Sequence, residues 1–442
     1  MRKLLDRMVE LVRRGELGLF TRRAQDFEPA DLAEVLTALD EKERVSVVRA
    51  LPPELSSQAL AEMPEEAHAE ETLAALDPNL AAEIVEELDD DDAADILGEL
   101  DLTRQEQILS AVEDRSEVDH LLRYEEDTAG GLMTTYMVTV PDTATAAQAL
   151  DAIRRQAEEV EDVYDVFVVD PDNRLVGTLP FKDLVISRPD RPVRAFMADA
   201  DIFVTPELDQ EEVARLMARY NIPSVPVVDD DGRLLGRVTF DDVIDVVEEE
   251  TTEDLLQFGG VPPDEALAAG WETAVRSRLP WLSINLLTAF LAGGVVYTFQ
   301  DTIQRTVALA VWMPIIAGMG GNAGTQALAV TVRRLALGML PVKVFTQVVG
   351  KEVLVGIING LAMGIVVGII GALMGQGPKL GLVVFLAMVG NLMVAGFAGA
   401  FIPILLERFG VDPAVASSIF VTTFTDVCGF LLLLGLAGLL LV

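Results

Sequence analysis

The chain has 442 residues, of which 33 are Lys or Arg and 71 are Asp or Glu, giving a formal charge of −38. So acidic a surface attracts cations and repels polyphosphate, which excludes nucleic acid as a partner. The charge is unevenly spread: residues 1–270 hold 24 basic and 65 acidic side chains, a net of −41, whereas 271–442 hold 9 and 6, a net of +3.

An acidic soluble region therefore precedes a membrane unit. One cysteine, Cys428, falls in a membrane segment, so no disulfide within the chain is expected. The first residues lack the apolar core of a signal peptide, leaving the first membrane helix to carry targeting.

Residues 1–130 read as short amphipathic helices. The units Leu80–Asp89 and Asp92–Asp101 repeat at an offset of 12 residues. Each has an apolar stripe too narrow to fold alone, with acids or Pro near its ends to start the next helix. Stacked short helices in a right-handed or curved solenoid are expected, a surface for interaction, not catalysis.

Residues 131–250 switch to strand–helix alternation and contain a duplication. Val163–Val185 aligns without gaps on Ile222–Ile244 at an offset of 59, with Val168/Val227, Asp170/Asp229, Arg174/Arg233, Gly177/Gly236, Phe181/Phe240 and Asp183/Asp242 matching. Each copy predicts a β-hairpin turning at Asp-x-Asp-x-Arg, then a helix starting near Phe-x-Asp. The two copies resemble a tandem pair of CBS modules, which implies a regulatory sensor, often for adenine nucleotides. That family's signature, Gly-x-x-Thr/Ser-x-x-Asp, is complete at Gly236, Thr239 and Asp242, while Pro180 replaces the hydroxyl residue in the first copy. Thr239 and Asp242 are therefore the candidate nucleotide contacts, with ATP the implied ligand.

Residues 241–270 read as a charged connecting helix, seated by Val243, Val246, Val247, Leu255 and Leu256 and broken at Gly259-Gly260 and Pro262-Pro263. From Leu279 onward the pattern is apolar, with five spans expected near 280–299, 306–332, 345–374, 380–405 and 414–441. Arg276, Arg278, Arg333, Arg334, Lys343, Lys351 and Arg408 fall on one side, and Arg305 and Lys379 on the other. This asymmetry places the amino terminus in the cytosol and the carboxyl terminus outside.

Within the last span, Asp426 is the one carboxylate in an apolar helix, preceded by Thr422, Thr423 and Thr425. An ionised group at that depth costs several kcal/mol unless it meets water, a partner or a cation. Thr422 shares its face at i, i+4 spacing, as the wall of a watery cation path would require. The plainer alternative is an Asp hydrogen-bonded to a neighbouring helix.

Taken in order, the acidic helices, the CBS pair, the acidic connecting helix and five spans ending in an intramembrane Asp resemble the MgtE family of magnesium channels and transporters over essentially the whole chain. The most specific stretches are Gly320-Gly321-Asn322-Ala323-Gly324-Thr325-Gln326 and Thr425-Asp426-Val427. The expected fold is multidomain: an all-α helical solenoid (1–130), an α/β tandem CBS pair (131–250), a connecting helix (241–270) and a five-span α-helical membrane domain (271–442). The resemblance implies a homodimer in the plasma (inner) membrane with one pore between subunits, an Asp from each fifth span facing the ion, and cytosolic domains that close the pore when magnesium is plentiful.

Magnesium dehydrates reluctantly, so its path should offer outer-shell acceptors and few direct ligands. Asp426 is the expected contact for the hydrated ion, with Thr422 and Ser418 holding waters. Asn322 and Gln326, at i, i+4, either line the same path or hydrogen-bond between helices. The resemblance maps the sensing acids onto Asp91, Asp95, Glu211, Asp242, Asp245, Glu250, Glu253 and Asp254, while Asn221 stands where an acid is expected and should weaken a cation site. Two like charges about 4 Å apart repel by about 4 kcal/mol at an effective dielectric near 20. Divalent ions reverse that sign and favour a compact closed state. A transporter for another divalent ion and a nucleotide-reading membrane signalling protein are the rival readings. The scarcity of His and Cys in the membrane unit argues against soft metals. No nucleophile–base constellation supports an enzyme; His68 and His120 both fall in the helical region.

Overall fold

The computed structural model describes residues 2–64, 67–156, 163–259, 261, 271–336, 345–373, 377–409 and 413–441. It divides into two compact units, Met1–Glu249 and Glu250–Val442.

The first unit opens with short helices at Arg2–Arg13 (α1), Leu17–Ala24 (α2), Pro29–Thr37 (α3), Glu41–Val48 (α4) and Pro53–Ala61 (α5). Ala69–Ala74 (α6), Pro78–Val85 (α7), Asp90–Gly98 (α8), Leu102–Leu109 (α9) and Ser116–Leu121 (α10) follow. Start signals account for the rhythm. Pro29, Pro53 and Pro78 occupy first-turn positions that need no backbone donor. Asp40 and Glu43 form a reciprocal capping box, and Asp77 and Asp101 cap α7 and α9. From α3 onward the helices pack on the next but one, α3 on α5, α5 on α7, α7 on α9, and likewise α4 on α6, α6 on α8, α8 on α10, while α1 packs on both α2 and α3. This is the stacking expected from the sequence, and it buries one continuous core through Phe20, Leu36, Leu60, Ile84 and Leu97.

The duplicated region forms Thr139–Pro141 (β1), Ala146–Gln156 (α11), Asp165–Val169 (β2), Leu175–Pro180 (β3), Phe181–Ile186 (α12), Ala198–Asp199 (β4), Gln210–Tyr220 (α13), Ser224–Val228 (β5) and Leu234–Thr239 (β6). Both predicted hairpins are present, β2–β3 and β5–β6, each antiparallel. The turns are built alike. Asp170 accepts from the backbone N–H of Asp172 and Arg174, and Asp229 from Asp231 and Arg233, all at 2.7–2.9 Å. Asn173 and Gly232, 59 residues apart, both adopt the left-handed conformation such a turn demands, at φ 61° and 78°. The copies meet tip to tip, where Leu175 N–H donates to Gly232 and Leu234 N–H to Asn173. Phe167 of one copy packs with Val228 and Leu234 of the other. The connecting helix runs Phe240–Phe258 (α14) and starts at Phe-x-Asp as predicted; the breakers Gly260, Pro262 and Pro263 lie outside the described residues.

The second unit contains Trp271–Thr298 (α15), Gln300–Arg305 (α16), Leu309–Ala336 (α17), Phe345–Gly371 (α18), Pro378–Arg408 (α19) and Pro413–Leu440 (α20). The first long helix begins at Trp271, nine residues before the expected span. Four segments are long and apolar enough to cross a membrane: Trp271–Thr298, Phe345–Gly371, Pro378–Arg408 and Ser418–Leu440. The remaining expected span, α17, is equally long at 28 residues, but the polar run through Asn322 and Gln326 dilutes its apolar content. It packs against both α19 and α20. Gly356, Gly360 and Gly364, one per turn of α18, let its backbone approach Leu392, Val389 and Phe385 of α19. Lys343 of the charge pattern lies outside the described residues.

Candidate functional site

In the first unit the acids gather where two helices begin. Asp89 occupies the N-cap position of α8, and Asp90, Asp91 and Asp92 fill its first turn, where the helix dipole favours negative charge. Asp90 is buried and fully engaged. Thr134 Oγ1 donates to it at 2.6 Å and the Thr135 N–H at 3.0 Å, with Thr135 Oγ1 a further donor. That anchor fixes the start of α8 against the chain entering the CBS pair. It leaves Asp89, Asp91 and Asp92 grouped, with one carboxylate oxygen from each lying within 4.8 Å of the others.

The first turn of α14 faces the same point. Asp242 raises the pKa of Asp91 and of Asp92 by its charge. Burial is the larger cause, holding the Asp91 carboxyl well above 3.8 and pushing Asp92 up to about 7, with Asp89 and Glu62 adding repulsion at Asp92. Asp242 is pushed up to about 6, again chiefly by burial, although it accepts from Thr239 Oγ1 at 2.6 Å and from the Thr239 N–H. Asp245 is raised by burial, then by Glu248 and Asp241. Such a site carries more negative charge than its surroundings can solvate. Its carboxyls therefore hold protons to higher pH than exposed carboxylates do.

The predicted sensing acids thus separate. Asp91, Asp242 and Asp245 belong to this acidic locality, whereas Asp95 is exposed on α8. Glu211 stands in the first turn of α13, paired with Arg215. Glu250 lies on α14, Glu253 accepts from Gln257, and the Asp254 side chain lies outside the described residues. Asn221 ends α13 in the left-handed conformation at φ 53°. An Asn is favoured there as a helix stop, which explains its presence where an acid was expected. Asp90 and Asp92 were missed because a run of four aspartates at a helix start reads as a solvated first turn. The signal was the run itself, since 89–92 holds more charge than one capping turn needs.

Thr239 and Asp242, the nucleotide candidates, are engaged with each other as a Thr-x-x-Asp capping pair at the start of α14. Gly236 serves packing in this structure: a Cβ there would stand 2.7 Å from the Thr134 carbonyl oxygen, and one at Gly177 would meet Ala198 in the same way.

In the second unit the two motif stretches meet. A Cβ at Gly324 of α17 would stand 2.6 Å from Val421 Cγ1 and 3.5 Å from Thr425 Cγ2 of α20, so the helices cross at those residues. Thr425 is buried at this crossing. The hydroxyls of Thr422, Thr423 and Thr425 donate to the carbonyls of Ser418, Ile419 and Thr422 at 2.7–2.9 Å, leaving their lone pairs as acceptors. Asp426 is half-buried and Thr422 exposed. Among the described residues, no hydrogen bond or ion pair engages the Asp426 carboxylate. Asn322 and Gln326 are exposed on one face of α17. Amide side chains on a membrane helix are costly against lipid, so that face needs water or protein beside it. Of the three motif glycines, Gly320 and Gly324 serve close approach, while nothing stands within 4 Å of a Cβ at Gly321.

Glu352 was missed. It is a buried carboxylate in α18, 3.0 Å from Lys351 Nζ. The rule that singled out Asp426 applies to it equally, but its neighbour Lys351 made the pair read as loop charge. Replacing Gly324 with Val should cost about 2 kcal/mol by overpacking the crossing; a lower melting temperature in detergent with flux lost in parallel is the expected outcome, and an unchanged melt would refute the crossing.

Residues 313–436 match the MgtE divalent cation transporter family, 27–127 match the MgtE intracellular N domain, and 129–189 and 193–249 match CBS domains. The magnesium transporter MgtE of Thermus thermophilus is 40% identical over 330 residues, covering 74% of this chain and 73% of that one. The magnesium transporter MgtE of Bacillus subtilis is 32% identical over 441 residues, covering 98% and 97%. Among solved structures, the soluble part of a magnesium transporter is 31% identical with a TM-score of 0.51, covering 57% of this chain and 99% of that one. The cytosolic domain of the Mg2+ channel MgtE in complex with ATP is 36% identical with a TM-score of 0.50, covering 54% and 97%. This is a multi-pass membrane protein with a cytosolic N-terminal part, a transporter and not an enzyme. The full-length similarity, the match of every domain in order and the crossing of the two motif helices make the chain a member of the MgtE family of divalent cation transporters.

Proposed function

We propose that the chain carries magnesium into the cell through a homodimer and that cytosolic magnesium closes the path. The observation that carries the reading is Asp426, a half-buried carboxylate with no protein partner among the described residues, on the same helix face as the exposed Thr422. A lone carboxylate in a spanning helix needs a counter-charge, and a hydrated divalent ion supplies one without losing its waters. A second copy of Asp426 across a two-fold axis would double the attraction, and Asn322 and Gln326 offer acceptors for the same waters. In this reading Ser418, whose carbonyl is already bonded to Thr422, contributes only its hydroxyl, and the carboxyl terminus lies outside.

Closure follows from the acidic site at the starts of α8 and α14. Carboxyls held above their ordinary value keep protons in the folded chain that the unfolded chain has released. Ion-free stability therefore falls as pH rises from 3.8 to about 7, and changes little above that for Asp92. Magnesium takes the place of those protons. Its stabilisation of the first unit should therefore be largest above about pH 7 and vanish toward pH 4. Melting curves of the full chain with and without magnesium across this range check it, and a pH-independent shift would place the ion elsewhere.

ATP at the second CBS copy belongs to the same reading as a further ligand, because its solved relative holds ATP; Thr239 and Asp242 would have to exchange their mutual hydrogen bond for the nucleotide. Passage of another divalent ion, such as cobalt, manganese or calcium, is the alternative that the breadth of the family leaves in play. Flux of magnesium against calcium through the full chain in liposomes decides between them: magnesium preference supports the reading, and equal or greater calcium flux overturns it.

A further inference from the structure

Asn391 is fully buried on α19, and its amide lies where three helices meet. Nδ2 donates to the Ile316 carbonyl of α17 at 2.8 Å. A Cβ at Gly320 of α17 would overlap the amide, and one at Gly429 of α20 would stand 2.9 Å from Nδ2 and 3.0 Å from Oδ1. The side chain is therefore wedged between a glycine on each of the two helices that cross at Gly324 and Val421. Among the described residues its Oδ1 has no hydrogen-bond partner.

An apolar side chain of similar volume would fill this junction without burying an unmatched acceptor. The amide must do something that packing alone does not require. In the helical pattern of α17, the Ile316 carbonyl is the acceptor for the Gly320 N–H. Asn391 already supplies a second donor to that carbonyl, and it lays an unpaired acceptor in the same amide against Gly320. If α17 bends at Gly320-Gly321, the two backbone groups that would be stranded both have a partner at hand. Helices bend where glycines and inserted side chains weaken the backbone ladder, and this turn has both.

We propose that Asn391 is a positioning residue for cation passage: its amide sets the spacing of α17 and α20 beside Asp426 and lets α17 flex at Gly320 as the path opens. The inference rests on the reading of that crossing as the cation path.

The test uses the full chain in liposomes, with magnesium flux per inserted protein and melting temperature measured together. Asn391→Leu should melt at or above the wild type, since it removes a buried unpaired acceptor, yet its flux should fall by about tenfold or more. Should leucine's branched tip prevent folding, a second pair decides. Gly429→Ala should lose both stability and flux; adding Asn391→Ala should restore the melting temperature and leave flux about tenfold low or worse. Wild-type flux from a folded Asn391 variant, or flux that follows melting temperature across the set, would overturn the proposal. Asp426→Asn keeps the two ideas apart. If that variant conducts normally, the cation path itself is misassigned; if it is silent while folded Asn391 variants conduct fully, only the role of Asn391 fails.

Discussion

Asp426→Asn should reduce magnesium flux by about 100-fold while the protein still folds and inserts. The size follows from electrostatics. A carboxylate about 5 Å from a divalent centre contributes about 7 kcal/mol at an effective dielectric near 20, before desolvation is subtracted. If about 3 kcal/mol of that survives, the loss corresponds to about 100-fold or slightly more. Asn keeps the volume and a carbonyl acceptor, so the fold and any water contact remain and the change reports charge alone. Because no hydrogen bond or ion pair engages Asp426 among the described residues, its removal strands no protein donor. A structural Asp would behave in the opposite way, losing stability with activity. Uptake by a magnesium-requiring host and melting of the purified protein together distinguish the two.

Asp91→Asn should produce the second large effect, in the opposite direction: a path that stays open at millimolar magnesium. Asp91 lies among Asp92, Asp90, Asp89 and Asp242, each of which disfavours its ionisation on top of burial. Replacing it by a neutral isostere relieves that repulsion. The ion-free first unit should melt higher, by about 3 °C for each kcal/mol relieved in a unit of this size. If Asp91 is a magnesium ligand, as proposed, the same substitution removes it, so the stabilisation by added magnesium should shrink and the concentration that closes the path should rise by about tenfold. A ligand shifts an equilibrium only by its differential affinity, so both changes must appear together. A variant with an undiminished magnesium-dependent melting shift that still fails to close would show that the switch lies away from this site.

Much of this architecture was legible in the residues. The 59-residue duplication predicted both hairpins and the start of α14, because Asp170 and Asp229 carry the turn chemistry in their own side chains. The solenoid was legible from Pro and Asp start signals, and the intramembrane Asp from its cost in lipid. What escaped depends on contacts between residues far apart in the chain. Asp90 became an anchor only because Thr134 and Thr135 arrive 44 and 45 residues later. Asn391 reads as polar glue between helices, which its bond to Ile316 bears out, but nothing local announces that it fills the gap between Gly320 and Gly429. Asn221 shows the converse. Its left-handed backbone conformation gives the residue a reason as a helix stop that the resemblance did not supply.

The central claim is that one carboxylate in a spanning helix meets a hydrated ion under control from the acidic cytosolic site. The direct measurement is magnesium flux through the full chain in liposomes, with magnesium clamped on the cytosolic face first at micromolar and then at millimolar concentration. Flux in the first condition, its suppression in the second, and silence in both when Asp426 is neutralised are the expected results. Flux that persists without the Asp426 charge would contradict it.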